Sequence, residues 1–107
     1  MSAVADKLRE ARALVERGWC KGDCAVDMGG RRCSERDAFA VRFDPQGAMS
    51  RVSEADYSIF GLMTEALRRA IQSENIAAWN DAPERTQAEV LAAFDRAIEL
   101  AEQESAS

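Results

Sequence analysis

A chain of 107 residues with 47% apolar and 31% charged residues has the composition of one ordinary globular domain, which excludes a disordered or fibrous class. It contains no histidine, which removes the commonest general base, the commonest metal ligand and any Ser-His or Cys-His nucleophile pair. The net charge of −5 is uneven: residues 1–71 hold 12 Lys/Arg against 11 Asp/Glu, and residues 72–107 hold 2 against 8, so the C-terminal part is the acidic one and a dominant basic footprint for nucleic acid is missing.

Ala3 to Arg17 reads as the first helix. Val4, Leu8, Ala11 and Val15 recur at three- and four-residue steps, Leu14 widens the stripe, and Gly18 stands where a helix stops. Its amphipathic start carries no signal-peptide core, and no apolar run approaches the roughly 20 residues that span a bilayer; both point to a cytoplasmic protein with no membrane contact. From Trp19 to Cys33 the pattern turns to short apolar alternations broken by glycines. Cys24 to Val26 and Arg31 to Cys33 read as the arms of a β-hairpin, or of an irregular loop, around Gly29-Gly30, with Trp19 packing it on the helices. Cys20, Cys24 and Cys33 make an odd count with weak spacing, so they read as free thiols; no metal and no cofactor is expected.

Residues 34–52 are read as a short helix at 35–43 followed by a second at 45–52, with Asp44 as N-cap and Pro45 in the first turn; Phe39, Val41 and Phe43 also alternate like a strand. Ser53 reads as the cap of a further helix, carried by Ile59, Phe60, Met63, Leu67, Ala70 and Ile71 and ending near Gln72. Asn80 to Pro83 favour a turn. Thr86 and Glu89 form a capping box ahead of a last helix whose stripe is Val90, Leu91, Phe94, Ala97, Ile98 and Ala101. The fold class is mainly α: a small orthogonal bundle of four to five helices with a short β-hairpin or irregular loop after the first. Residues 1–101 form a single helical domain and 102–107 a frayed tail.

The run Trp79-Asn80-Asp81-Ala82-Pro83-Glu84-Arg85-Thr86-Gln87-Ala88-Glu89-Val90, followed by Asp95-Arg96-Ala97-Ile98, resembles a family of small uncharacterised bacterial and phage-borne proteins with a W-N-D-x-P-x-R-T-x-x-E-V motif before the last helix. Gly18-Trp19 and the Gly47-Ala48-Met49 step fit the same family. Phe43-Asp44-Pro45 departs from it, where a cysteine and an unbroken helix are expected. The resemblance implies a helical fold and a phage or mobile-element setting. It implies no activity.

Three functions are weighed. The leading one is a non-enzymatic protein-interaction module, encoded by a phage or prophage, that modulates a host nucleic-acid-handling system. Its acidic face of Glu84, Glu89, Asp95, Glu99 and Glu102 would meet a basic protein surface. The Trp79–Arg85 loop, with Trp79, Asn80, Asp81 and Arg85, is a recognition patch or, in the second reading, the site of a small enzyme or ligand-binding protein that draws on Cys20. Trp79 itself reads first as an apolar anchor that folds back over the last helix. The third reading is nucleic-acid binding through Arg31, Arg32, Arg36 and Arg42, which the overall charge disfavours. A homo-oligomer formed through the last helix is compatible with all three.

Overall fold

The computed structural model describes residues 2–106. Met1 and Ser107, the outer ends of the domain and tail drawn from the sequence, lie outside the described residues. The elements are α1 (Ala3–Arg17), β1 (Ala25–Asp27), β2 (Ala40–Phe43), α2 (Pro45–Ser53), α3 (Tyr57–Ile71), α4 (Ile76–Asp81) and α5 (Gln87–Ala106). The protein is mainly helical, with a short two-stranded antiparallel ribbon after the first helix. No helix among the described residues is long and apolar enough to cross a membrane.

Each helix start is set by a polar side chain that accepts an otherwise unpaired backbone N–H. Ser2 does this for Ala5, Asp44 for Gly47, Asp56 for Ile59 and Asn75 for Ala78. At α5 the capping box closes in both directions. The Thr86 hydroxyl accepts the Glu89 N–H at 3.2 Å, and the Glu89 carboxylate accepts the Thr86 N–H at 2.9 Å. The periodic stripes then meet in one core. Leu8 and Val15 of α1, Met49 of α2, Met63 and Leu67 of α3, and Val90 and Phe94 of α5 are fully buried. α1 packs most extensively on α5, and both helices give small residues to the core, Ala5 and Ala11 from the first and Ala93, Ala97 and Ala101 from the last. Each large side chain withdrawn from water here contributes about 1.5–3 kcal/mol.

Residues 35–43 correct the sequence reading. They form turns and then strand β2, not a helix. Local side-chain bonds compete with the helix: the Ser34 hydroxyl accepts the Arg36 N–H, and the Asp37 carboxylate accepts the Phe39 N–H at 2.8 Å. The chain then extends into a strand in which Val41 and Arg42 are both exposed and Phe43 is buried. The ribbon's pairing differs as well. β1 pairs with the distant β2 in the register Ala25 to Phe43, Val26 to Arg42 and Asp27 to Ala40, with an irregularity after Val26. Arg32 contributes one bridge to Val26, and Trp19 bridges Phe43 from the other side. A second correction concerns Ser53, which ends α2; its hydroxyl donates to the Ser50 carbonyl, and Asp56 caps α3. Asn80 and Asp81 close α4 instead of standing in a turn.

Two glycines let the ribbon lie on the helices. At Gly18 a Cβ would overlap the Val41 carbonyl, and at Gly47 it would overlap the Cys24 carbonyl. These are close backbone approaches that no larger residue allows. α5 continues through Ala106, so residues 102–106 are helical.

Candidate functional site

The motif residues meet at the junction of α4 with the loop that follows α1. Asn80 is completely buried. Its amide oxygen accepts the Trp19 Nε1–H at 2.7 Å, and its amide nitrogen donates to the Cys20 carbonyl at 3.1 Å. The exposed Asp81 accepts the Gly22 N–H at 2.9 Å. Lys21 reaches across in return, with Nζ donating to the Ala82 carbonyl at 2.7 Å. Arg85 lies over the half-buried Trp79 ring, 4.0 Å from its centre, while its Nε donates to the Trp79 carbonyl. Trp79, Asn80, Asp81 and Arg85 therefore do come together, and their polar atoms are largely spent on the loop at Trp19–Gly22. That is a clasp between distant parts of the chain.

Beside the clasp lies a small acidic environment. Asp44 is nearly inaccessible, and burial, with Asp81, Glu35 and Asp23 nearby, pushes its carboxyl up to about 6 against the hydrogen bond from the Gly47 N–H. Cys20 is half-buried and donates to the Asp23 carbonyl at 3.3 Å. Burial, then Asp44 and Asp23, push its thiol up to about 12. The thiol is protonated at neutral pH and is a poor nucleophile there. Burial and the same carboxylates also push Cys24 up. Among the described residues no group of three or more His, Cys, Asp or Glu side chains is arranged to hold a metal ion.

The acidic face is exposed but mostly paired. Asp95 meets Arg12 of α1 at 2.8 Å, Glu102 meets Arg9 at 2.8 Å, and Glu99 pairs with Arg96. Glu89 is held by the capping box and lies near Arg85; the Thr86 N–H holds its carboxyl below the usual range. Only Glu84 of the five makes no ion pair or side-chain hydrogen bond among the described residues.

The ribbon, with the residues between its strands, presents a different surface. Arg31, Arg32, Arg36 and Arg42 are all exposed. Arg32 pairs with Asp23 at 2.7 Å. The side chains of Arg31, Arg36, Arg42 and the neighbouring Arg17 have no ion pair or hydrogen bond among the described residues, whereas every other Lys and Arg has one. The same surface exposes Met28 at 83%, Phe39 at 70% and Val41 at 40%. Sequence reasoning missed these three apolar residues as surface, because a helix at 35–43 turned Phe39 and Val41 inward. The Phe39-Val41-Phe43 alternation signals the strand but not the exposure, since it puts the buried Phe43 on the same face as the exposed Val41.

No curated protein and no solved structure matches the chain. One family model, described as a family of unknown function (DUF6197), matches residues 1–100. The chain belongs to that family.

Proposed function

We propose that the protein is a non-enzymatic protein-interaction module that meets its partner through the β1–β2 ribbon. The observation that carries this reading is the segregation of unpaired charge. All four arginine side chains without an internal partner lie on or beside the ribbon, together with three of the five large apolar side chains exposed among the described residues. Met, aromatic and Arg side chains are those enriched at the centre of protein interfaces. The α5 face supports the reading less, since four of its five carboxylates are already matched inside the chain. The phage or prophage setting belongs to this proposal through the sequence resemblance, whereas a host nucleic-acid-handling system as the target rests on the acidic α5 face, which its internal pairing supports less.

Affinity capture from a lysate of the source organism, with and without nuclease, tests it. Three baits are compared: the natural protein, an Arg31→Gln/Arg36→Gln/Arg42→Gln variant and an Asp95→Lys/Glu102→Lys variant. The expected result is a protein captured by the first and third baits, lost with the second and indifferent to nuclease. Equal capture by all three baits, or capture only through nucleic acid, overturns the proposal.

A further inference from the structure

We propose that the groove between α1, β2 and α2 docks an acidic protein segment through an apolar anchor side chain. This rests on the interaction-module reading and names the chemistry of the partner. The groove has a volume of about 340 Å³ and an apolar floor of Leu14, Ala40, Val41 and Phe43. Two guanidinium groups flank it. Arg51 is held in place: Nη1 donates to the Glu35 and Asp37 carbonyls, each at 2.9 Å, and the guanidinium stands 5.4 Å from the centre of the Phe43 ring. Its Nε and Nη2 donors are not used among the described residues. Arg17, at the C-terminal end of α1, is exposed and has no side-chain partner among them.

The chemistry of that arrangement selects its occupant. A planar guanidinium fixed by carbonyls offers its remaining N–H groups to a carboxylate without first losing rotamer freedom. The floor between the two arginines takes an aliphatic or aromatic side chain. Past Leu14 the groove runs on between the same two arginines to Glu54 and to Glu10, which pairs with Lys7, so its positive charge is offset at that end. A segment lying in it therefore carries its carboxylates towards the ribbon and leaves the Glu54 end free of them. A phosphate backbone, uniformly charged along its length, fits this polarity poorly.

Selection of random peptides displayed on yeast against the whole protein tests the groove, with labelled oligo(dT) as the nucleic-acid probe. Val41→Glu and Arg17→Glu alter the groove, and Tyr57→Ser alters the start of α3, outside both the groove and the ribbon. All three positions are exposed, and circular dichroism confirms that the variants fold. The expected peptides place Asp or Glu beside an apolar residue. Their affinity falls at least about fivefold with either groove variant, falls with added salt and is unchanged by Tyr57→Ser. Four results overturn the inference: neutral or basic peptides, peptides indifferent to the groove variants, tighter binding of oligo(dT), or no enriched peptide. Concentration-dependent self-association of the protein, abolished by Val41→Glu, also overturns it in favour of a second copy. If lysate capture depends on the ribbon arginines while the groove variants change nothing, the groove inference alone falls. Failure of that capture instead removes the parent reading.

Discussion

At the scale of single residues, Asn80 and Asp44 are the two buried polar groups on which the clasp and the ribbon depend. Asn80 satisfies the Trp19 indole and the Cys20 carbonyl from a site with no solvent access. Asn80→Ala leaves both partners unmatched. Buried groups left that way cost about 1–3 kcal/mol each, so urea unfolding is expected to show a loss of roughly 2–4 kcal/mol. A loss below about 1 kcal/mol sinks the clasp as a structural device. Asp44 behaves differently because its partner tolerates a neutral cap. Its folded pKa, about 6, lies above the ordinary carboxylate value of 3.8. The stability it contributes is therefore full below pH 3.8 and is lost as pH rises through about 6. Asn caps a helix as well as Asp does and carries no charge. Asp44→Asn is thus expected to match the natural protein near pH 4 and to exceed it by on the order of 2 kcal/mol at pH 8. Denaturant titrations at the two pH values check it, and an equal difference at both would show that Asp44 does not titrate in this window.

At the scale of elements, two helical glycines separate packing from propensity. In α2, a Cβ on Gly47 would run into the Cys24 carbonyl, while on Gly61, in the second turn of α3, it would meet nothing within 4 Å. Ala exceeds Gly in a helix interior by about 0.5–1 kcal/mol, so Gly61→Ala is expected to raise the melting temperature. Gly47→Ala is expected to lower it despite the same propensity gain, because backbone must move to admit the methyl group. Thermal denaturation of the two variants decides the matter; a stabilised Gly47→Ala would mean that the ribbon does not rest on α2. The contrast also marks what the sequence discloses. Stripes such as Leu8-Ala11-Val15 and Val90-Phe94-Ala97, and the Thr86–Glu89 box, are local signals, and they place α1 and α5 well. β2 was misread because its cause is not local. Phe39, Val41 and Phe43 fit either period, and what decides is a partner at Ala25–Asp27 and a Ser34–Asp37 turn that uses the backbone donors a helix would need.

At the scale of the whole molecule, the charges divide into a closed set and an open one. The motif residues were visible in the sequence as a group, but their use was not. Which polar atoms Asn80 meets depends on a loop some sixty residues away. For the same reason a count of charges makes α5 look like a free acidic surface, and only the tertiary pairing with Arg9 and Arg12 closes it. This division predicts different responses to mutation. Asp95→Lys/Glu102→Lys replaces two attractions between α1 and α5 with repulsions. Exposed pairs contribute about 0.2–1 kcal/mol each, so the double reversal is expected to cost about 1–2 kcal/mol at low salt and visibly less at high salt, where the Debye length shortens. Arg31→Gln/Arg36→Gln/Arg42→Gln removes cations whose side chains have no ion pair or hydrogen bond among the described residues. It is expected to leave stability within about 0.5 kcal/mol at either salt concentration. Urea titrations of both variants at low and high salt make the comparison. If the ribbon variant is the one destabilised, its arginines are held by the fold and are not available to a partner. If both variants behave as expected, the cations the fold does not use are the ones at the proposed interface.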